Sequence, residues 1–305
     1  MKYLVLLFAC IVLVSGGKLP SYKVDISETR VSGLSAGGFM AVQMHFAFSK
    51  YIKAAAVFAG GPYYCAQGQL IKATMNCMMM PNVDVDALLE QADYYEYNGL
   101  IDPVAEIKGD KVFLFSGTLD TTVKPGVMTY LETMYRTLGA DILTEFNKKA
   151  NHLWPTIDYG NSCTALMSPY IGRCDYSGSE VSFRHIYPGL KPKTEALSSQ
   201  LKTFDQGWYK PSGSSMHTTG YIYVPKACEN GEETCTVHVS LHGCKQGVTE
   251  IQQQWVSKLE INELAEANNI IVVYPQCKKS SFLPSNPNGC WDWVWFIYFI
   301  KLILS

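Results

Sequence analysis

Near its amino end the chain carries Gly33-Leu34-Ser35-Ala36-Gly37, a serine between two glycines at the spacing that lets a strand turn sharply into a helix. A hydroxyl held at such a corner can attack a carbonyl carbon. It needs a base to take its proton, an acid to orient that base, and backbone amides to receive the charge that develops on oxygen. Asp120 closes the stretch Ser116-Gly-Thr-Leu-Asp just beyond an apolar run, and Asn151-His152 follows the next such run. The order serine, acid, histidine, with acid and base each in a loop after a strand, makes Ser35, Asp120 and His152 the candidate catalytic residues. Alone, Asp120 reads as a turn aspartate, and a lone histidine is more often structural than catalytic. His45, His185, His217, His238 and His242 compete with His152, but only His152 lies where the base belongs. Asp110 precedes its strand and is the weaker acid.

The oxyanion donors are expected from the amide after the nucleophile, Ala36, and from a His-Gly turn at the end of another strand. "VSLHGCKQG" supplies such a turn, with the Cys244 amide as the second donor. The elements that position these parts alternate. After the elbow come a helix over Gly38 to Ser49, a strand over Ala54 to Phe58, a helix near Asp84 to Tyr94, a strand over Lys111 to Ser116, a helix over Gly126 to Leu138 and a strand over Ile142 to Phe146. Asp175 to Thr219 is rich in Ser, Gly, Lys and Pro and reads as a long surface connection. Strands at Gly220 to Val224, Thr236 to Leu241 and Ile270 to Tyr274 follow, with a helix at Glu260 to Ala267. This rhythm predicts an α/β fold, a mostly parallel sheet with helices on both faces. Two features are out of order: the serine has almost nothing before it, and the His-Gly turn, which ordinarily precedes the serine, follows the triad. A circular permutation accounts for both, because it preserves the order of parts in space. On that wiring Ile270 to Tyr274 is expected beside the elbow strand.

Lys2, the apolar run Tyr3 to Val14 and the small residues Ser15-Gly16-Gly17 read as a signal peptide over residues 1–17, too short to span a bilayer. Residues 18–305 then form a single catalytic domain, secreted and extracellular. Across all 305 residues the apolar share is 48%, enough for a large core, and the formal net charge of −2 without a basic block argues against nucleic acid or an anionic membrane surface as partner. Of ten cysteines, Cys10 leaves with the signal. In an oxidising compartment the others pair, all but one. Three close pairs stand out: Cys65 with Cys77, Cys163 with Cys174, and Cys228 with Cys235. One longer bridge is to be drawn from Cys244, Cys277 and Cys290, with Cys244 and Cys290 its candidates and the connectivity open. The rival use of cysteine, a zinc site, lacks its Cys-x-x-Cys knuckles and paired histidines, so no metal is expected. The acyl chemistry requires no cofactor.

Taken together, "VSGLSAGGFMAVQM", "FAGGPYYC", "SGTLDTTV", "NHLWPT", "LHGCKQG", "IIVVYPQ" and "NPNGCWDW" resemble the secreted, single-domain, circularly permuted poly(3-hydroxybutyrate) depolymerases over most of the mature chain. The resemblance implies a circularly permuted α/β-hydrolase fold, the same triad and oxyanion amides, a Trp291 or Trp293 lining the substrate crevice, and a polyester or small ester as the extracellular substrate. Two other readings of the scaffold stand beside it: a feruloyl or acetyl esterase acting on plant polysaccharide, and a catalytically inactive binding protein. The end departs from the family. Where a Gly/Tyr-rich loop and a last helix are expected, "VWFIYFIKLILS" follows, so the helix covering the sheet beside Ser35 reads as truncated.

Overall fold

A computed structural model describes residues 17–210, 213–281 and 285–292. Residues 1–16, within the stretch 1–17 read as a signal peptide, and the apolar tail from Trp293 onward lie outside the described residues.

Strand β1 (Val24–Leu34) runs into helix α1 (Ala36–Ala47) and strand β2 (Ile52–Phe58). Helix α2 (Leu70–Thr74) leads through a π-helical turn into α3 (Val85–Tyr97), whose first turn is capped by the Asp84 carboxylate accepting from the Ala87 amide. Strand β3 (Lys111–Phe115) precedes α4 (Pro125–Thr137), which opens on a proline, where a missing N–H costs nothing. Strand β4 (Asp141–Glu145) follows. Short strands β5 (Trp154–Thr156), β6 (Asn161–Ser162) and β7 (Ile171–Arg173) make a small second sheet, and α5 (Gly178–Ile186) comes next. The chain then adds β8 (Leu201–Asp205), β9 (Thr219–Tyr223), β10 (Cys235–Leu241), α6 (Val248–Ile251), α7 (Gln254–Ser257), α8 (Ile261–Asn268) and β11 (Ile270–Tyr274).

The main sheet has the order β4-β3-β2-β1-β10-β11-β9-β8, and only β9 runs antiparallel to its neighbours. Its central strands are nearly continuous apolar runs, as burial on both faces requires: Ala54 to Phe58 and Val112 to Phe115 are all at most 1% exposed. One half of the sheet is built by the first part of the chain and the other half by the last part, the arrangement a permuted hydrolase demands. The halves meet where β1 pairs with β10, Val31 opposite Val239 and Gly33 opposite Leu241.

Two expectations are corrected. Ile270–Tyr274 does not neighbour the elbow strand, because β10 lies between them and pairs with both. Sequence pattern identifies a buried strand but not its place in the sheet. The segment Asp175 to Thr219 is also more than a connection, since it holds α5 and β8. Helix α5 buries Ser179 and Ser182 beside Phe183 and Ile186, so serines interrupt the apolar stripe that would announce it. Strand β8 is the sheet's edge and buries only Phe204 fully.

Candidate active site

Ser35 sits between β1 and α1 with φ 58° and ψ −124°, a left-handed-side φ that a side-chain-bearing residue rarely adopts. The neighbouring chain holds it there: its amide donates to the Phe58 carbonyl at 2.9 Å and its carbonyl accepts from the Phe39 amide at 2.9 Å. The flanking glycines are required by close approach. A methyl on Gly33 would lie 2.2 Å from the Gly37 carbonyl oxygen, and one on Gly37 would lie 2.1 Å from that of Leu241, the last residue of β10. The elbow is therefore pressed against the end of the strand that carries the His-Gly turn.

Asp120 and His152 are brought together by two loops that bond along their length. Thr118 and Leu119 donate to the carbonyls of Lys148 and Ala150 at 2.8 and 3.0 Å, and a methyl on Gly117 would strike the Ala150 carbonyl at 2.2 Å. Asp120 Oδ1 accepts from the amides of Thr122 and Val123 at 2.8 and 2.9 Å, which leaves Oδ2 to meet His152 Nδ1 at 2.7 Å. Both residues are buried. A carboxylate only accepts, so Nδ1 carries the ring proton and Nε2 is left as an acceptor. Asn151 steadies the base from behind. Its Oδ1 accepts from the His152 amide at 2.9 Å, and its own amide donates to Cys163, a residue bridged to Cys174.

Ser35 and His152 line one cleft of about 270 Å³, together with Met78, Leu166, Tyr170 and Cys244. Ala36 opens α1, so its amide is among the helix's N-terminal donors without an intrahelical partner. On the facing turn the Gly243 amide is committed to Gln246 Oε1 at 2.7 Å, and Cys244 is the next residue on the cleft wall. His242, wholly buried beneath this turn, donates from Nδ1 to the Gly243 carbonyl at 2.7 Å and accepts from the Cys277 amide at Nε2 at 3.0 Å. Burial pushes its pKa down to about 4, so it stays neutral, against the upward pull of its bond to the Gly243 carbonyl.

Trp291 is not among the residues that line the cleft with Ser35 and His152. Its indole N–H donates to the His242 carbonyl at 2.9 Å, its ring packs on the His242 ring, and it is 8% exposed, bracing the turn from behind. An indole N–H that is buried must find an acceptor, and here it is the His242 carbonyl. Trp293 is outside the described residues. Disulfides join Cys65 to Cys77, Cys163 to Cys174, Cys228 to Cys235, and Cys244 to Cys290, while Cys277 is free and buried. The last bridge ties the His-Gly turn to the 286–291 segment, as does the Lys245 amide donating to the Asn288 carbonyl at 2.7 Å. Asn151 and Gln246 escaped the sequence reading. Both stand inside quoted stretches next to candidate residues, but only their partners in space reveal what they hold.

Among the described residues no group of three or more His, Cys, Asp and Glu side chains is arranged to hold a metal ion, and no helix is long and apolar enough to cross a membrane. No family model matches the chain. A poly(3-hydroxybutyrate) depolymerase of Delftia acidovorans is 41% identical over 282 residues, 90% of this chain but only 56% of that protein's length. A polyhydroxybutyrate depolymerase of Talaromyces funiculosus is 36% identical over 303 residues, 93% of this chain and 87% of that one. Among solved structures, the PHB depolymerase from Penicillium funiculosum superposes with a TM-score of 0.82 at 33% identity, over 94% of this chain and 99% of its own. A PHB depolymerase complexed with an R3HB trimer also gives 0.82, at 35% identity and 90% of both chains. Resemblance at this identity over nearly the whole of the Talaromyces protein shows that the chain belongs to the poly(3-hydroxybutyrate) depolymerase family.

Proposed function

We propose that this chain is a secreted serine esterase that hydrolyses the ester bonds of poly(3-hydroxybutyrate)-like polyester, with Ser35 as nucleophile, His152 as base and Asp120 as the orienting acid. The observation that carries the reading is the meeting of Asp120 Oδ2 with His152 Nδ1 at 2.7 Å on the wall of the same cleft that Ser35 lines. Ser35 Oγ attacks the ester carbonyl as its proton passes to His152 Nε2. The oxyanion forms toward the amides of Ala36 and Cys244, and the C–O bond then breaks as the leaving alkoxide takes the proton from His152. Water, deprotonated by the same ring, attacks the acyl-enzyme, and the bond between Ser35 Oγ and the acyl carbon breaks as Oγ takes that proton back, releasing a carboxylic acid. Asp120 stabilises the imidazolium in both steps and fixes its tautomer. The apolar wall contributed by Met78 and Leu166 suits an aliphatic acyl chain. A solid polyester does not enter a cell, which agrees with the four disulfides and the leader read in residues 1–17.

The purified chain and its Ser35→Ala variant are to be assayed on a soluble short-chain ester, on suspended polyhydroxybutyrate granules and on a feruloylated polysaccharide. Hydrolysis of the first two by the wild type alone is the expected result. Release of ferulate with intact granules would move the substrate to plant polysaccharide, and full activity in Ser35→Ala would overturn the mechanism.

A further inference from the structure

Gln246 is 1% exposed, lies two residues past the Cys244 oxyanion donor, and spends every polar atom of its side chain on two separate loops. Oε1 accepts from the Gly243 amide at 2.7 Å. Nε2 donates to the carbonyls of Pro169 and Tyr170 at 2.9 and 3.2 Å. The Tyr170 carbonyl in turn accepts from the Trp154 amide at 3.0 Å, two residues beyond His152. An unbroken path of hydrogen bonds thus runs from the His-Gly turn, through one amide side chain, to β5, whose first residue Trp154 closely follows His152. Gly243 is shaped for this reach, since a methyl there would lie 2.7 Å from Gln246 Oε1 and 3.3 Å from the Ser35 Cβ.

We propose that Gln246 is a positioning residue that sets the spacing between the oxyanion amides and His152. The proposal rests on the esterase reading above. Turn and base are far apart in the chain, His242 against His152, so chain continuity does not fix their separation, and the Oε1–Cδ–Nε2 amide of Gln246 acts as the spacer. An amide is suited to the task because it accepts on one side and donates on the other. A carboxylate would face two carbonyl oxygens, and an aliphatic side chain would leave the Gly243 amide without its partner. Oxyanion donors act on charge that exists only in the transition state, so a displaced turn lowers kcat and leaves substrate binding largely untouched.

Gln246→Met keeps length and volume without hydrogen bonds, whereas Gln246→Glu keeps the acceptor for Gly243 and loses the donors to Pro169 and Tyr170. Both are to be compared with wild type and Ser35→Ala on a soluble short-chain ester, with thermal unfolding alongside. A transition-state-like alkyl boronic acid serves as inhibitor. For each variant kcat should fall roughly 10- to 100-fold, less than the loss of a whole oxyanion donor, with KM within about twofold and boronate affinity weakened in parallel with kcat. A purely structural role lowers the melting temperature without this pattern. Either folded variant retaining kcat within twofold of wild type, or losing only KM, overturns the proposal. So does failure of both to fold, which would make Gln246 a core residue and nothing more. A wild-type chain that hydrolyses no ester overturns the esterase reading together with this one, whereas an active wild type with unaffected variants overturns this one alone.

Discussion

Two wholly buried histidines should make the fold acid-labile. His238 on β10 meets Ser32 Oγ at 2.8 Å and Tyr187 Oη at 3.1 Å, and burial, aided by the Arg30 charge, pushes its pKa down to about 3. His242 is held near 4 by burial. In the unfolded chain each imidazole titrates near 6.5, so between that pH and its folded value the unfolded state holds the extra proton. The stabilising contribution is therefore complete above about pH 6.5 and is lost progressively as pH falls toward 4 and 3. At ~1.4 kcal/mol per pH unit and group, the losses amount to roughly 3 kcal/mol for His242 and roughly 5 kcal/mol for His238. Together they match the whole stability of an ordinary domain, about 5–15 kcal/mol. Glu263 works in the opposite sense, because burial raises its carboxyl and the folded state takes that proton first. Denaturant unfolding followed by tryptophan fluorescence at pH 7.5, 6.5, 5.5 and 4.5 measures the balance. Stability should fall toward pH 4.5 with a slope approaching about two protons, and His238→Gln should remove about half of that slope. A stability that stays flat or rises toward pH 4.5 refutes the argument, and an unchanged slope in His238→Gln refutes the assignment to this ring.

Asp120→Asn is expected to lower kcat on a soluble ester about 10⁴-fold while the protein stays folded, because an amide N–H facing His152 Nδ1 favours the tautomer that cannot accept the serine proton. A loss under tenfold would remove Asp120 from the mechanism. Gly37→Ala places a methyl 2.1 Å from the Leu241 carbonyl and should destabilise by roughly 4 kcal/mol or more, read as a drop in melting temperature; a variant that melts with wild type contradicts the packing of the elbow against β10. The Cys277 thiol, buried and with its pKa pushed up, should not react with Ellman's reagent in the native protein and should titrate once the protein is denatured. Fast native labelling would show that the segment behind His242 opens.

The parts of this protein that could be read from sequence are those whose chemistry is local. The elbow announces itself because two glycines must flank the serine, and Asp120 and His152 follow from strand, loop and order. The permutation was readable too, since the His-Gly turn and the serine stand in the wrong sequence for an unpermuted sheet. Trp291 illustrates the limit. The resemblance implies Trp291 or Trp293 at the crevice, but which acceptor takes the Trp291 N–H is decided by the His242 carbonyl, 49 residues away in the chain. The long connection was misread for a similar reason. Helix α5 packs with serines inward, Ser179 against the Leu259 carbonyl and Ser182 against that of Ser179, and such satisfied polar burial has no hydrophobic period to detect.

The permutation also fixes where precision is needed. In this wiring Ser35, the proposed nucleophile, leaves the end of β1 and Cys244, the proposed second oxyanion donor, follows the end of β10, so their relation depends on pairing between strands more than 200 residues apart in the chain. A slip of one residue would move Cys244 by about 3.3 Å along the strand, farther than an oxyanion hydrogen bond can stretch. Apolar contacts alone resist such a slip weakly where both faces of a strand are buried, because a valine displaced by one position still lands among apolar neighbours. A buried polar pair resists it strongly. Ser32 on β1 and His238 on β10, both fully buried, bond at 2.8 Å, and the second ring nitrogen is taken by Tyr187. Displacing either strand would leave these groups unsatisfied in the interior, at a cost of about 1–3 kcal/mol each. The polar network beneath the elbow is thus placed at the strand pair whose register decides whether Ser35 and the Ala36 and Cys244 amides can act together as proposed.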